Sequence, residues 1–229
     1  QQYTLTELRS TNEVISTRLS SWQDYQVKAL GWLVGNPAIM SMDPTAQAPV
    51  VQSMAAVFPQ LSLISIVDLE GNSIARSDGG NPRNYSQLSW FQEAKSGQQF
   101  VYRSQLDDRT GNLVQVIATP ILNPSGEIIG VGMFSTYPGT LDGLLQDAAI
   151  GETLTAIVLN ENNQVIASNP PIPNSLLNAA LVSTISTLRD RNPGAAVQAG
   201  EDDLPGPLLV RDSQGVEWRA GFQLLKNGW

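Results

Sequence analysis

The sequence predicts an α+β fold, a long N-terminal helix followed by two tandem modules with antiparallel sheets. Three observations predict it. Residues 3–34 carry an apolar seam at alternating three- and four-residue spacing with no proline. Residues 61–137 are short β-rich runs separated by Gly- and Asn-containing turns, the pattern of hairpins. A strand–turn–strand stretch at 67–75 is matched by another at 159–167, which suggests one module used twice.

The helix comes first. Its seam is Leu5, Leu8, Asn12, Ile15, Leu19, Trp22, Gln26, Ala29 and Leu33. That is heptad spacing, and a polar residue at a seam position is a known way to set register. Two uses of the seam stay open. It pairs with a second copy of the chain, or it packs on its own domain, with the 22–33 half suited to the latter. Gly35, Asn36 and Pro37 end it. A second helix opens at Asp43 as N-cap with Pro44 at the first helical position, and it closes near Phe58 and Pro59.

Strands follow at 61–67 and 73–77 around Gly71-Asn72. Ser89-Trp90-Phe91-Gln92 reads as a capping box opening a short helix that Gly97 stops. Further strands are expected at 100–106, 113–122 and 128–137, joined by turns at 107–111 and 123–126. A connecting helix covers 140–150. The second module holds a hairpin at 155–159 and 164–167, a helix with Leu176, Leu177, Ala180, Leu181, Ile185 and Leu188 on one face, and strands at 208–211 and 217–224 around 213–215. The domain boundaries expected are 1–37 for the N-terminal helix, 38–139 for the first module, 140–151 for the connecting helix and 152–229 for the second module.

Composition narrows the function. The 229 residues have a formal net charge of −8, with no cysteine and no histidine. An acidic surface repels phosphate backbones, so nucleic acid is not an expected partner. Without cysteine there are no disulfides or thiolate nucleophiles. Without histidine, Ser-His-Asp catalysis and His-ligated zinc are excluded. Carboxylate-based catalysis and calcium sites stay open on composition, but no catalytic residue, metal or cofactor is expected. The acidic runs at 68–72 and 201–203 lack the spacing of a calcium loop. No stretch reaches the ~20 apolar residues of a membrane span.

Several pieces in order resemble the double Cache family of PAS-like bacterial sensor domains. They are residues 66–74, then Tyr85-Ser86-Gln87-Leu88-Ser89-Trp90-Phe91-Gln92-Glu93-Ala94, then 97–102. Arg109-Thr110-Gly111-Asn112, Ala118-Thr119-Pro120-Ile121 and Gly126-Glu127-Ile128-Ile129-Gly130-Val131 complete the series. The resemblance implies a non-enzymatic, extracytoplasmic ligand-sensing domain of a membrane-anchored receptor, with a sensor histidine kinase the first expectation and a chemoreceptor or nucleotide cyclase next. It implies a small organic ligand (a carboxylate, amine or other metabolite) in the first, membrane-distal module, and a homodimer through the N-terminal helix. The pocket so implied lies between the distal sheet and the segment covering it. Its candidate contacts are Arg76, Asp78, Tyr85, Trp90, Phe91, Tyr102, Arg103 and Ser135. The aromatic residues supply apolar walls, and a few polar groups fix orientation.

Amino-acid-binding members carry an arginine two positions before the Trp and an aspartate late in the last distal strand. Here those positions are Leu88 and Ser135. The expected ligand is thus neutral or weakly polar, or an anion held differently, by Arg76 or Arg103. The alternatives are a periplasmic solute-binding protein, a ligand-free dimerisation scaffold, and a carboxylate-based hydrolase for which no convincing acid pair is found.

Overall fold

The computed structural model describes residues 5–107, 110–137, 139–146, 154–172, 186–187, 208–211, 217–220 and 225. The chain divides into two compact units, Gln23–Thr140, and Gln1–Trp22 together with Leu141–Trp229.

The Gln23–Thr140 unit is built on a five-stranded sheet of β1 (Leu61–Val67), β2 (Ser73–Arg76), β3 (Val101–Leu106), β4 (Leu113–Leu122) and β5 (Ile128–Thr136). The order is β2-β1-β5-β4-β3, and every neighbouring pair is antiparallel. The α+β antiparallel expectation is borne out. The helices are α1 (Leu5–Val34), α2 (Pro37–Met40), α3 (Pro44–Val57) and α4 (Ser89–Lys95).

One face of the sheet packs on α1 and α3. Ile64, Ile66, Ala75, Ile117, Ile121 and Phe134 meet Leu30, Leu33, Ile39, Val51, Met54 and Phe58 in one buried cluster. Side chains of this size stabilise by about 1.5–3 kcal/mol each when fully buried. Two glycines of β5 let the helix layer come close. A Cβ on Gly132 would stand 2.6 Å from Val34 Cγ1, and one on Gly130 would stand 2.7 Å from Met42 Cε, in the stretch between α2 and α3.

That close approach broadens the helix seam. The buried positions of α1 are Ser16, Leu19, Gln23, Gln26, Ala29, Leu30 and Leu33. Expected seam positions Leu19, Gln26, Ala29 and Leu33 are among them. Gln23 is buried where Trp22 was expected, and Leu30 joins Ala29, since Leu30 and Val34 fill the space over Gly132. Gln26 sits in this line with neither amide atom hydrogen-bonded within the protein.

α1 ends at Val34, just before the expected Gly35-Asn36-Pro37 stop, and a short helix not expected from the sequence follows it. Pro37, expected to end α1, is the first residue of α2, with Asn36 as N-cap accepting the Ala38 N–H at 2.9 Å. Proline suits both places, since it can neither continue a helix nor miss an N–H in a first turn. Asp43 caps α3 as expected, its Oδ1 accepting the Thr45 N–H at 2.9 Å.

In the other unit, α5 (Thr140–Gln146) precedes β6 (Ala156–Leu159) and β7 (Val165–Asn169), an antiparallel hairpin. Asp142 Oδ1 accepts the Ser168 N–H at 2.9 Å, fastening α5 to that hairpin. β8 (Leu208–Arg211) and β9 (Glu217–Ala220) form a second antiparallel pair. The expected helix at 176–191 falls outside the described residues except Ser186 and Thr187, which are helical, as do residues 147–150 of the connecting helix, 221–224 of the last strand and the 213–215 turn.

The paired hairpin turns are alike in detail. Asp68 Oδ1 accepts the N–H groups of Glu70 and Asn72, and Asn160 Oδ1 accepts those of Asn162 and Gln164. The left-handed residue is Gly71 (φ 89°) in one and Asn163 (φ 59°) in the other. Asn123 makes the same turn between β4 and β5, accepting from Ser125 and Glu127. The likeness is therefore that of a hairpin type, in which an Asx side chain mimics a backbone turn.

Candidate ligand-binding face

The second face of the five-stranded sheet is roofed by the segment between β2 and β3, which carries α4. Side chains alternate along a strand, so cross-strand partners form rows on one face. One row is Arg76, Ser65, Met133, Ala118 and Val101, from β2 across to β3. The next is Leu63, Ser135, Val116 and Arg103. The floor is thus apolar, with two serines near its centre and an arginine at an end of each row.

The roof is anchored on Gly71, in the turn between β1 and β2. Its carbonyl accepts the Tyr85 N–H at 2.7 Å, and Asn72 bridges to Asn84. A Cβ on Gly71 would stand 2.6 Å from the Ser86 backbone nitrogen, so only glycine lets the returning segment lie this close. α4 starts at Ser89 with Leu88 as N-cap and no side-chain cap. This corrects the expected capping box: Gln92 Nε2 instead donates to the Ser86 carbonyl. Gly97 at φ 103° ends the helix.

The aromatic side chains of the roof are shut against the floor. Trp90 is 1% exposed and Phe91 0%, in one cluster with Tyr85, Val101, Val116 and Met133. The Tyr85 and Trp90 rings are 5.3 Å apart between centroids, and Trp90 meets Phe91 edge-on at 6.1 Å. The Trp90 indole donates to Gln105 Oε1 at 2.9 Å, tying α4 to β3.

Both arginines are engaged with protein carboxylates. Arg76 Nε donates to Asp78 Oδ1 at 2.9 Å and Nη2 to Oδ2 at 2.6 Å, while Nη1 donates to the Tyr85 hydroxyl at 2.7 Å. Burial works against the Arg76 charge. The hydrogen bonds and charge of Asp78 and Tyr85 outweigh it and hold the guanidinium above its ordinary pKa. Burial also raises the Tyr85 pKa, against the opposing pull of Arg76 and Arg83. Arg103 Nε donates to Glu93 Oε1 at 3.0 Å, Nη2 pairs with Glu93 Oε2, and Nη1 donates to the Tyr102 carbonyl at 2.6 Å.

The structure brings Arg76, Asp78, Tyr85, Trp90 and Phe91 into one connected group, with Arg103 joined through Glu93 on α4. Ser135 is on the same face and accepts a hydrogen bond from Ser62 Oγ at 3.1 Å. Tyr102 does not join them, which corrects the expectation for it. It packs on the helix-covered face, where its hydroxyl donates to the Gln23 carbonyl at 3.4 Å. Burial first, then the charge of Asp24, raises its pKa. Sequence reasoning missed Glu93, Gln105, Ser62 and Ser65. Glu93 was within reach of it, lying three residues past Trp90 on the roof helix.

A separate cleft of about 470 Å³ lies between α1 and α3, lined mostly by apolar side chains that include Ala29, Trp32, Val50, Met54, Val57 and Phe58. Trp32 and Val57 are exposed at its rim.

An antiparallel sheet with a long helix on one face and a roofed second face is the frame of a known family, and the chain belongs to it: residues 1–229 match the Cache domain model. Its fold is that of sensor and ligand-binding domains of receptors. The sensor domain of the V. cholerae histidine kinase DctB aligns with a TM-score of 0.62 at 16% identity, over 81% of this chain and 75% of that one. The ligand-binding domain of a Campylobacter jejuni chemoreceptor, in complex with L-valine, aligns with a TM-score of 0.60 at 17% identity, over 80% and 79%. That of the Pseudomonas fluorescens chemoreceptor CtaA, also with L-valine, gives 0.61 at 17% identity, over 71% and 74%. Among curated proteins, a citrate (Re)-synthase of Syntrophus aciditrophicus (strain SB) is 24% identical over 117 residues, 46% of this chain and 19% of that protein. The chain thus spans about a fifth of that relative's length.

Proposed function

We propose that this chain is the extracytoplasmic sensory input domain of a membrane receptor, and that the roofed face of its five-stranded sheet holds a small, uncharged or weakly polar organic molecule. The observation that carries the reading is the pairing of Arg76 with Asp78 and Arg103 with Glu93. It fastens the rim of an otherwise apolar, serine-centred face. Arg76, Asp78, Tyr85, Trp90, Phe91, Arg103 and Ser135 form its walls and rim. Similar chemoreceptor domains are known in complex with a small organic molecule, L-valine. The charged anchors expected for an amino acid are replaced here by Leu88 and Ser135.

Trp90 and Phe91 close this face, so a ligand enters by displacing the α4 roof. A ligand that favours one roof position over another shifts the balance between them, and that shift is the signal. Among the described residues no helix is long and apolar enough to cross a membrane. Membrane anchoring belongs to the full receptor in this reading. So does a homodimer through α1, whose exposed Tyr25 and Trp32 suit a contact between copies. The domain itself performs no chemistry.

A thermal-shift screen of the purified domain against amides, alcohols, amines, carboxylates, purines and sugars tests the reading. At 100 times its dissociation constant a bound ligand adds about 2.7 kcal/mol. An uncharged molecule that raises the midpoint, with the effect lost in Trp90→Ala, supports it. A flat response across all classes contradicts it.

A further inference from the structure

We propose that Asp78 and Glu93 are specificity determinants of the roofed face, resident carboxylates that occupy its two arginines and thereby exclude anionic ligands. This rests on the reading of that face as the ligand site. An arginine holds a carboxylate best along the edge formed by Nε and one Nη, through two parallel hydrogen bonds. In Arg76 that edge is filled by both oxygens of Asp78, at 2.9 and 2.6 Å, and the remaining Nη1 is on Tyr85. In Arg103 the same edge is filled by Glu93, and Nη1 is on the Tyr102 carbonyl.

The two pairs resemble one another in construction. Each arginine comes from the sheet, at the end of a row, and each carboxylate comes from the covering segment. The Arg76–Asp78 pair is the more sheltered, with side chains 5% and 15% exposed. It is packed beneath Gly80, whose N–H donates to Asp78 Oδ1 at 3.1 Å and whose Cβ, if present, would stand 3.3 Å from Arg76 Nη2.

An incoming anion therefore meets no open guanidinium edge. To use Arg76 it must break the two hydrogen bonds between Arg76 and Asp78, an exchange with little net gain because one carboxylate replaces another. An uncharged ligand faces no such exchange. Removing the resident charge reverses the preference: Asp78→Asn leaves a sheltered guanidinium that lacks its counter-charge, and a ligand carboxylate supplies it.

The experiment uses isobutyrate and isobutyramide, a matched anion and amide, in NMR titrations of the domain. Asp78→Asn is expected to bind isobutyrate at least ten-fold more tightly than the unsubstituted domain does, and to raise the ratio of isobutyrate to isobutyramide affinity by a similar factor. Arg76→Gln/Asp78→Asn should lose the gain. Glu93→Gln repeats the test at Arg103 should Asp78→Asn fail to fold. A folded Asp78→Asn with no gain, or a gain that survives in the double variant, overturns the assignment while leaving the ligand site standing. If the unsubstituted domain and the variants ignore both probes and every compound of the metabolite screen, the site reading falls, and the assignment with it.

Discussion

The indole N–H of Trp90 and the side-chain oxygen of Gln105 meet at 2.9 Å, one from the roof helix and the other from the edge strand β3. Beneath that bond Trp90 is buried against Tyr85 and Phe91. Apolar burial and one directional polar contact thus act on the same side chain, and both bear on how readily the roof lifts.

Trp90→Ala is expected to destabilise the Gln23–Thr140 unit by about 3–5 kcal/mol through the cavity it leaves. Gln105→Leu removes only the acceptor and should cost about 1–3 kcal/mol for an unpaired buried donor. Urea unfolding followed by fluorescence measures both. Equal losses would mean that the indole N–H, and not ring packing, dominates.

Gly132→Ala places a methyl where Val34 Cγ1 stands 2.6 Å away. Over-packing of this kind costs about 1–3 kcal/mol. Val34→Ala in the same chain should recover part of the loss, a coupling that a double-mutant cycle reads directly. Additive losses would contradict the close helix–sheet contact.

Gln26→Met is expected to be neutral or stabilising by about 1 kcal/mol, because both amide atoms of Gln26 are buried without a protein hydrogen bond. Leu30→Ala, a turn away on the same buried line, should cost about 2–5 kcal/mol. Thermal unfolding of the two variants separates the polar from the apolar part of the α1 stripe.

Burial holds the Tyr102 hydroxyl above its ordinary pKa in the folded chain. An unfolded tyrosine ionises near pH 10, and below that both states keep the proton and Tyr102 adds no pH dependence. Above it the unfolded chain releases a proton that the folded chain retains, so stability falls as pH rises toward the folded pKa. Tyr102→Phe should flatten this alkaline loss while giving up one long hydrogen bond. Unfolding free energies at pH 8 and pH 11 test it, and an unchanged slope would contradict it.

Much of the fold was legible because each strand is bounded by turn residues of definite conformation. β4 runs over 113–122 as expected, since Gly111 closes the turn before it and Asn123 opens the one after. The widening of the α1 stripe to include Leu30 was not legible, because it depends on Gly132 about a hundred residues away. For the site, alternation alone separates Tyr102 from Val101 and Arg103, a signal present in the sequence but not applied. The fastening of Trp90 to Gln105 could not be foreseen, since it depends on how α4 crosses β3. The hairpins at 67–75 and 159–167 share a turn that also closes β4–β5, so the turn by itself is too common a device to carry the two-module reading.

The indole N–H resonance of Trp90, followed by two-dimensional 15N NMR while a ligand from the metabolite screen is titrated, tests the central claim most directly. This signal is expected to shift and saturate with the ligand, with smaller changes at Trp32 on the rim of the α1–α3 cleft. A ligand that moves Trp32 and leaves Trp90 still would place binding in that cleft and contradict the assignment of the roofed face.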